Sequence, residues 1–304
     1  MGLMGTFFDN FGPGMAAYVV CKVLQFILPH AWAWAVGDLE LMRYLHASNG
    51  KPAWAFVACA IDPIGQAMCF ELAARGFNLV MYGHDRQQLG ATKAKLEKDY
   101  PWNKYRIVLS DTYAESGSAE ELAIRIAHSL EHENLTVLVN NFTATGQTHE
   151  NSATLDRDAK KTFPMQLTTA LISLLRRNAP SLVLNIVSMV ANRDDVEPLL
   201  CSSCGTFRSC EKNNIDMMSY RLGESAAGDE QPSYLKPDPK ALASAILRHA
   251  GAGLGRPSTA VIPYWPHAMQ HMARTMRWAV NAYCAVEFDG GKGFRAYLKG
   301  GLKM

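Results

Sequence analysis

Runs of like charge are missing from this chain. Its 304 residues hold 30 Lys and Arg against 28 Asp and Glu, a net charge of +2, and the basic residues are scattered. A nucleic-acid footprint needs cations clustered along a phosphate backbone, so DNA and RNA drop out as partners. Cysteine is sparse and odd in number, seven in all, at 21, 59, 69, 201, 204, 210 and 284. That excludes a fully paired disulfide framework and argues for reduced thiols in a cytosol-facing setting. Metal-ligand sets are missing as well. Cys201, Cys204 and Cys210 cluster without a nearby histidine, whereas a structural zinc takes four ligands, so an incidental thiol cluster is the better reading. His267 and His271 stand four apart with no acidic residue between them, which fails the zincin pattern. No Gly-x-Ser-x-Gly elbow surrounds Ser188, which removes the hydrolase reading. Nor does a small-residue cleavage site follow the apolar N-terminus, which removes a signal peptide.

What is present begins with that N-terminus. Met15 to Gly37 (MAAYVVCKVLQFILPHAWAWAVG) has Lys22, Gln25 and His30 as its strongly polar positions and is interrupted by Pro29. A clean span needs ~20 apolar residues, so the segment is borderline. With Trp32 and Trp34 suited to an interfacial belt, it is expected to be a membrane anchor, spanning the bilayer or lying in its interface. The alternative is a helix packed on the protein's own core.

From Ala53 onward, short apolar runs alternate with stretches of helical spacing. Strands are expected at 54–59, 77–82, 106–110, 136–139, 182–188 and 214–220, with helices at 64–75, 87–98, 119–130 and 159–177. Such alternation predicts an α/β fold, a doubly wound, Rossmann-like parallel sheet covered by helices on both faces. A helix is expected at 239–249, a strand at 259–263, and an amphipathic C-terminal helix over 267–286. The expected organisation is a membrane-associated segment 1–50, a Rossmann-like domain 51–266, and a C-terminal helix and tail 267–304.

Three stretches carry a family likeness: KPAWAFVACAIDPIGQAMCFELAARGFNLVMYGHDRQQL at 51–89, LVNNFTATG at 138–146, and FPMQLTTALISLLRRNAPSLVLNIVSM at 163–189. AVIPYWPHAMQ at 260–270 adds a fourth. Together they resemble the short-chain dehydrogenases/reductases, and within them the membrane-anchored branch of 17β-hydroxysteroid dehydrogenases and very-long-chain 3-oxoacyl-CoA reductases. That resemblance implies a cofactor turn of the form Thr-Gly-x-x-x-Gly-x-Gly. Here Ala58, Cys59, Pro63 and Gly65 occupy its fixed positions, and Gly65 alone keeps a glycine. Cys59 adds a side chain where backbone should approach the pyrophosphate, and Pro63 removes an N–H and fixes φ. Asp62, Ile64 and Gly65 fit. The resemblance further implies adenine binding by Asp111, a 2′-phosphate contact by His84 or Arg86, and strand-tying by Asn140 and Asn141. No cofactor is expected to bind well; if one does, it is NADP(H).

The catalytic set departs further. The family delivers a proton from a tyrosine whose pKa a lysine lowers, with a serine orienting the substrate and an asparagine in the relay. Ser188 matches the serine, but Ser203, Phe207 and Lys160 stand at the tyrosine, lysine and asparagine positions. A serine hydroxyl is a poor acid and phenylalanine polarises nothing. The only Tyr-x-x-x-Lys spacings are Tyr18/Lys22 and Tyr100/Lys104, and neither follows Ser188. The helix carrying the pair is cut to Arg208–Asn213, less than two turns at ~3.6 residues each, which predicts an exposed apolar flank on the sheet. The expected function is a catalytically degenerate relative on the cytosolic face of the endoplasmic reticulum membrane. It would serve as an auxiliary subunit for a membrane-bound partner enzyme or a hydrophobic small molecule in lipid or polyketide-type metabolism. The alternative is an active NADP(H)-dependent ketone or 3-oxoacyl reductase with an atypical proton donor, Ser188 polarising the carbonyl and Ser203 or a loop group relaying the proton.

Overall fold

The computed structural model of the chain describes residues 3–48, 50–109, 119–141, 157–188, 210, 212–226, 230–254 and 261–274. Five apolar residues, Ala53–Val57, form β1, and all five are buried. A strand buried on both faces belongs at the centre of a parallel sheet, and β1 lies there, pairing parallel with β2 (Asn78–Gly83) on one side and β4 (Asn134–Asn141) on the other. With β3 (Tyr105–Leu109), β5 (Ser181–Ser188) and β6 (Ile215–Leu222), the order is β3-β2-β1-β4-β5-β6, every pair parallel. The chain winds outward from β1 in one direction, then restarts at β4 and winds in the other. The crevice between β1 and β4, at the carboxyl ends of the strands, is therefore the topological switch point where such sheets take their ligands.

Two cores flank the sheet. On one face Leu72, Phe77, Leu182 and Leu247 pack beneath α2 (Pro63–Ala74), α3 (Arg86–Asp99) and α6 (Pro239–Gly251). On the other, Phe56, Val183 and Met217 pack beneath α4 (Ala119–Ser129) and α5 (Arg157–Arg177). The doubly wound expectation holds, with element ends displaced by a residue or two. The apolar flank expected to be exposed is not found on β6, where Met217, Ser219, Tyr220 and Leu222 are all buried; α6 covers one face of that strand, and Cys210 packs in the core of the other. Of the strand expected at 259–263, the described part is a single parallel bridge from Val261 to Tyr220. The C-terminal helix is seen over 265–274.

By contact, the chain divides into one unit of Met1–Pro29 with Trp265–Met304 and another of His30–Tyr264. The first helix, α1 (Leu3–Leu41), contributes to both, so the apolar N-terminal segment is shared between them. Among the described residues no helix is long and apolar enough to cross a membrane, which is what the spanning form of the expected anchor requires. Instead the last turns of α1 join the sheet unit. Ala33, Leu41 and the following Tyr44 are fully buried. A Cβ on Gly37 would lie 2.2 Å from the Arg248 carbonyl oxygen, and one on Gly251 would lie 1.8 Å from that of Gly37. Here α1 and α6 cross backbone to backbone, a contact that only two glycines allow. Asp38 flanks the seam, accepting from Arg75 at 2.9 Å and Arg248 at 3.0 Å. Burial pulls its carboxyl up, but the two guanidiniums, Arg75 foremost, outweigh this and hold it below the usual carboxylate range.

Candidate functional site

The site is built at the switch point, from the turn after β1. Ala58 N–H donates to the Val139 carbonyl and Ala60 N–H to the Tyr82 carbonyl, each at 2.9 Å, fastening the turn to β4 and β2. Asp62 caps α2, accepting from Ile64 N–H at 3.2 Å. Pro63 is the first helical residue, where a fixed φ is already correct and no N–H is required. The expected misfit at Pro63 is thus corrected: it reinforces the helix start. Gly65 is needed for space, because a Cβ there would come within 2.2 Å of the Cys59 carbonyl oxygen. Cys59 itself holds a φ of +52°, left-handed backbone that favours glycine. The turn keeps the path of a glycine turn while carrying a side chain. Burial, then the Asp62 charge, pushes the Cys59 thiol up to about 11, so it stays protonated and unreactive at neutral pH.

The asparagine pair divides its work. Asn140 donates to Thr168 Oγ1 at 2.9 Å and to Asn185 Oδ1 at 3.0 Å, tying β4 to α5 and β5 as expected. Asn141 instead donates to Asp62 Oδ2 at 3.1 Å, bridging the switch-point crevice and steadying the cap of α2. His84 and Arg86 are exposed at the carboxyl end of β2 and the start of α3. Between them Asp85 is occupied as the cap of α3, accepting from Gln87 N–H at 2.8 Å and Gln88 N–H at 3.0 Å. Gly83 packs against Ile61, so the end of β2 and the cofactor turn are in contact.

These features fit NADP(H) in backbone path and in charge. A helix N-terminus faces the crevice for the pyrophosphate, and His84 and Arg86 are exposed at the end of β2 and start of α3, where a 2′-phosphate would lie. Cys59 is the one misfit, its Cβ standing where backbone should approach a phosphate.

The catalytic candidates are less fully described. Ser188 ends β5, its backbone opposite Leu222 of β6, and Lys160 lies in the first turns of α5; the placement of both side chains is outside the described residues. Ser203, Phe207 and Asp111 lie wholly outside them. Tyr100 and Lys104 bracket the link from α3 to β3 at the amino edge of the sheet. That is the opposite edge from Ser188, and β3 lies four strands away from β5 in the sheet. Tyr18 and Lys22 pair with each other, the ammonium 5.7 Å from the ring centroid, in the other unit. The Tyr100/Lys104 pair does not serve the switch point.

Sequence reasoning expects the strand at 214–220 but assigns no site residue to it. Asn185 and Ser219 lie opposite each other, as do Val187 and Arg221, so two polar side chains of β6 share the face toward α4 and α5. Polar residues inside a strand otherwise buried on both faces were the available signal.

No family model matches the chain. It is 27% identical to the very-long-chain 3-oxoacyl-CoA reductase of Coprinopsis cinerea, covering 89% of this chain and 84% of that one. With the enzyme of the same name from Meyerozyma guilliermondii it shares 24% over 78% of this chain and 76% of the other. Among solved structures, L-sorbose reductase from Gluconobacter frateurii, complexed with NADPH and L-sorbose, superposes with a TM-score of 0.54 at 15% identity, over 68% of this chain and 93% of that one. That likeness concerns the fold alone.

Proposed function

We propose that this chain, which belongs to the short-chain dehydrogenase/reductase family, is an NADP(H)-dependent reductase of 3-oxoacyl thioesters that works without a tyrosine proton donor. The observation carrying this reading is the likeness, over 84% of the relative's length, to a chain named very-long-chain 3-oxoacyl-CoA reductase. A cofactor turn whose backbone path survives supports it. When bound, NADP(H) supplies the hydride. The start of α2 would face the pyrophosphate, His84 and Arg86 would hold the 2′-phosphate, and Asn141 keeps Asp62 on the helix cap. At the carboxyl end of β5, Ser188 orients the substrate carbonyl. The carbonyl oxygen would take its proton from water, directly or through Ser203 or another loop group.

A second reading is favoured by a specific observation, the lack of any Tyr-x-x-x-Lys after Ser188. Here the chain is a degenerate relative acting as an auxiliary subunit that binds a hydrophobic molecule or a membrane-bound enzyme. Both readings place the chain on an internal membrane, at the cytosolic face of the endoplasmic reticulum. The exposed Val20, Leu24, Ile27, Leu28, Trp32 and Trp34 of α1 support interfacial attachment.

One experiment separates the two. Full-length protein in detergent is titrated with NADPH, then supplied with a long-chain 3-oxoacyl-CoA while NADPH consumption is followed. Binding with turnover supports the reductase. Absence of binding sinks it and leaves the auxiliary subunit, and binding without turnover also rules against catalysis.

A further inference from the structure

The amino edge of the sheet carries a large aromatic that the fold leaves in solvent. Trp102 lies on the turn between α3 and β3 and is 73% exposed. The turn itself is fixed. Asn103 is buried and donates to the Ala73 carbonyl at 2.7 Å, and Lys104 N–H donates to Asn78 Oδ1 at 2.8 Å. It is thus tied to the last turn of α2 and to the first residue of β2.

The surroundings of Trp102 narrow the occupant. Lys98, in the last turn of α3, and Lys104 stand on either side of it in sequence. Both are exposed and enter no ion pair among the described residues. Of the nearby acids, Glu97 pairs with Lys93 at 3.6 Å, and Asp99 remains. Protein interfaces are depleted in lysine, whereas an indole flanked by ammonium groups suits the headgroup level of a bilayer that holds anionic lipid.

The same edge receives the end of α1. Just past that helix, the Tyr44 hydroxyl donates to Asp216 at the start of β6, and Asn134, the first residue of β4, donates to the His46 carbonyl, each at 2.8 Å. Trp32 and Leu39, one heptad apart, are exposed, while Ala33, Gly37 and Leu41, at intervals of four, are buried. At 3.6 residues per turn these two sets lie on opposite faces of the helix, so the crossing with α6 fixes which face of α1 looks outward. One frame holds both exposed groups: the end of α2 binds α1 through Arg75 and Asp38 at 2.9 Å, and binds the Trp102 turn through Ala73.

We propose that Trp102, with Lys98 and Lys104, makes a second contact with an anionic phospholipid surface, and that the amino edge of the sheet faces the bilayer. This deepens the interfacial attachment by α1 proposed above. A single surface helix leaves the sheet free to roll about that helix; a second contact, on the α3 side, removes the roll. The carboxyl edge, with the switch-point crevice, then opens away from lipid, toward water.

The test dilutes full-length protein from detergent into vesicles of phosphatidylcholine and phosphatidylserine and follows flotation against lipid concentration. W102S is expected to need about tenfold more lipid for half-flotation, and W102F much less than that, because the aromatic area is largely kept. K98Q/K104Q should shift the curve by about tenfold as well, on vesicles with phosphatidylserine and at low salt only. Y234S removes an exposed ring from the loop that leaves the carboxyl end of β6 and should leave the curve in place. If W102S fails to fold, K98Q/K104Q carries the comparison. A W102S curve that matches the wild type, or a Y234S curve displaced as far as that of W102S, overturns the assignment. Flotation lost in W32S/W34S but intact in W102S keeps the attachment by α1 and removes this inference; dependence on Trp102 without dependence on Trp32 and Trp34 does the reverse.

Discussion

Cys59 shows how much one residue decides at the switch point. A side chain on left-handed backbone costs roughly 1–2 kcal/mol, and Cys59 holds a φ of +52°. C59G is expected to stabilise the protein by about 1 kcal/mol in denaturant unfolding and to tighten NADPH binding in a fluorescence titration. If neither changes, the turn does not hold nucleotide as described. Gly65 carries the opposite sign. In G65A the new Cβ would meet the Cys59 carbonyl oxygen at 2.2 Å, and this overpacking against backbone should destabilise by about 2–3 kcal/mol, seen as a lower denaturant midpoint. The sequence displays the loss of glycines, and from it a turn that binds nucleotide poorly is expected. The turn survives because Asp62 caps the helix and Pro63 fits its first position, so the remaining residues favour the same backbone path without those glycines.

At the scale of elements, the seam between α1 and α6 rests on backbone contact more than on charge. G251A places a Cβ 1.8 Å from the Gly37 carbonyl oxygen and should force the helices apart, a loss of about 3 kcal/mol. D38N removes two ion pairs from a half-exposed carboxylate and should lose no more than about 1 kcal/mol; equal effects in urea unfolding would show that charge, not close approach, holds the seam. The same seam should respond to pH. The rings of His30 and His249 meet edge to face, centroids 5.0 Å apart. Burial drives His249 down to about 4 against the hydrogen bond to the Ala245 carbonyl, and a charge on His30 adds to the fall. A group whose folded pKa is depressed binds its proton more readily when unfolded. The stability it confers is therefore complete above the unfolded value near 6.5 and is lost as pH falls toward 4. The total is on the order of 3 kcal/mol at about 1.4 kcal/mol per unit. Unfolding curves across that range should flatten in H249F, and an unchanged slope would assign the acid sensitivity elsewhere.

For the whole molecule, the proposed attachment to a membrane is open to direct test. Trp32 and Trp34 are exposed, Trp34 at 77%, although α1 continues from them into the buried crossing at Gly37. An interfacial attachment of this kind should weaken when the ring area is removed. W32S/W34S is expected to reduce co-flotation with anionic phospholipid vesicles about tenfold or more, since burying a large apolar side chain is worth about 1.5–3 kcal/mol. Flotation that does not respond would place the contact elsewhere.

Two things were settled by the sequence alone. The order of strands and helices was legible because a parallel strand buried on both faces must be a short, unbroken apolar run, and 54–59 and 182–188 read that way. The missing tyrosine and lysine were equally legible, since spacing along the chain needs no folding to be counted. Tertiary structure decided the rest, because a polar side chain is satisfied only by what packing brings beside it. Asn140 reaches Thr168 and Asn185, and Asn141 reaches Asp62, although the two stand side by side in the chain. Among the described residues, Arg221 meets no acceptor for its buried Nε. Gly37 and Gly251, far apart in sequence, become irreplaceable only where two helices cross.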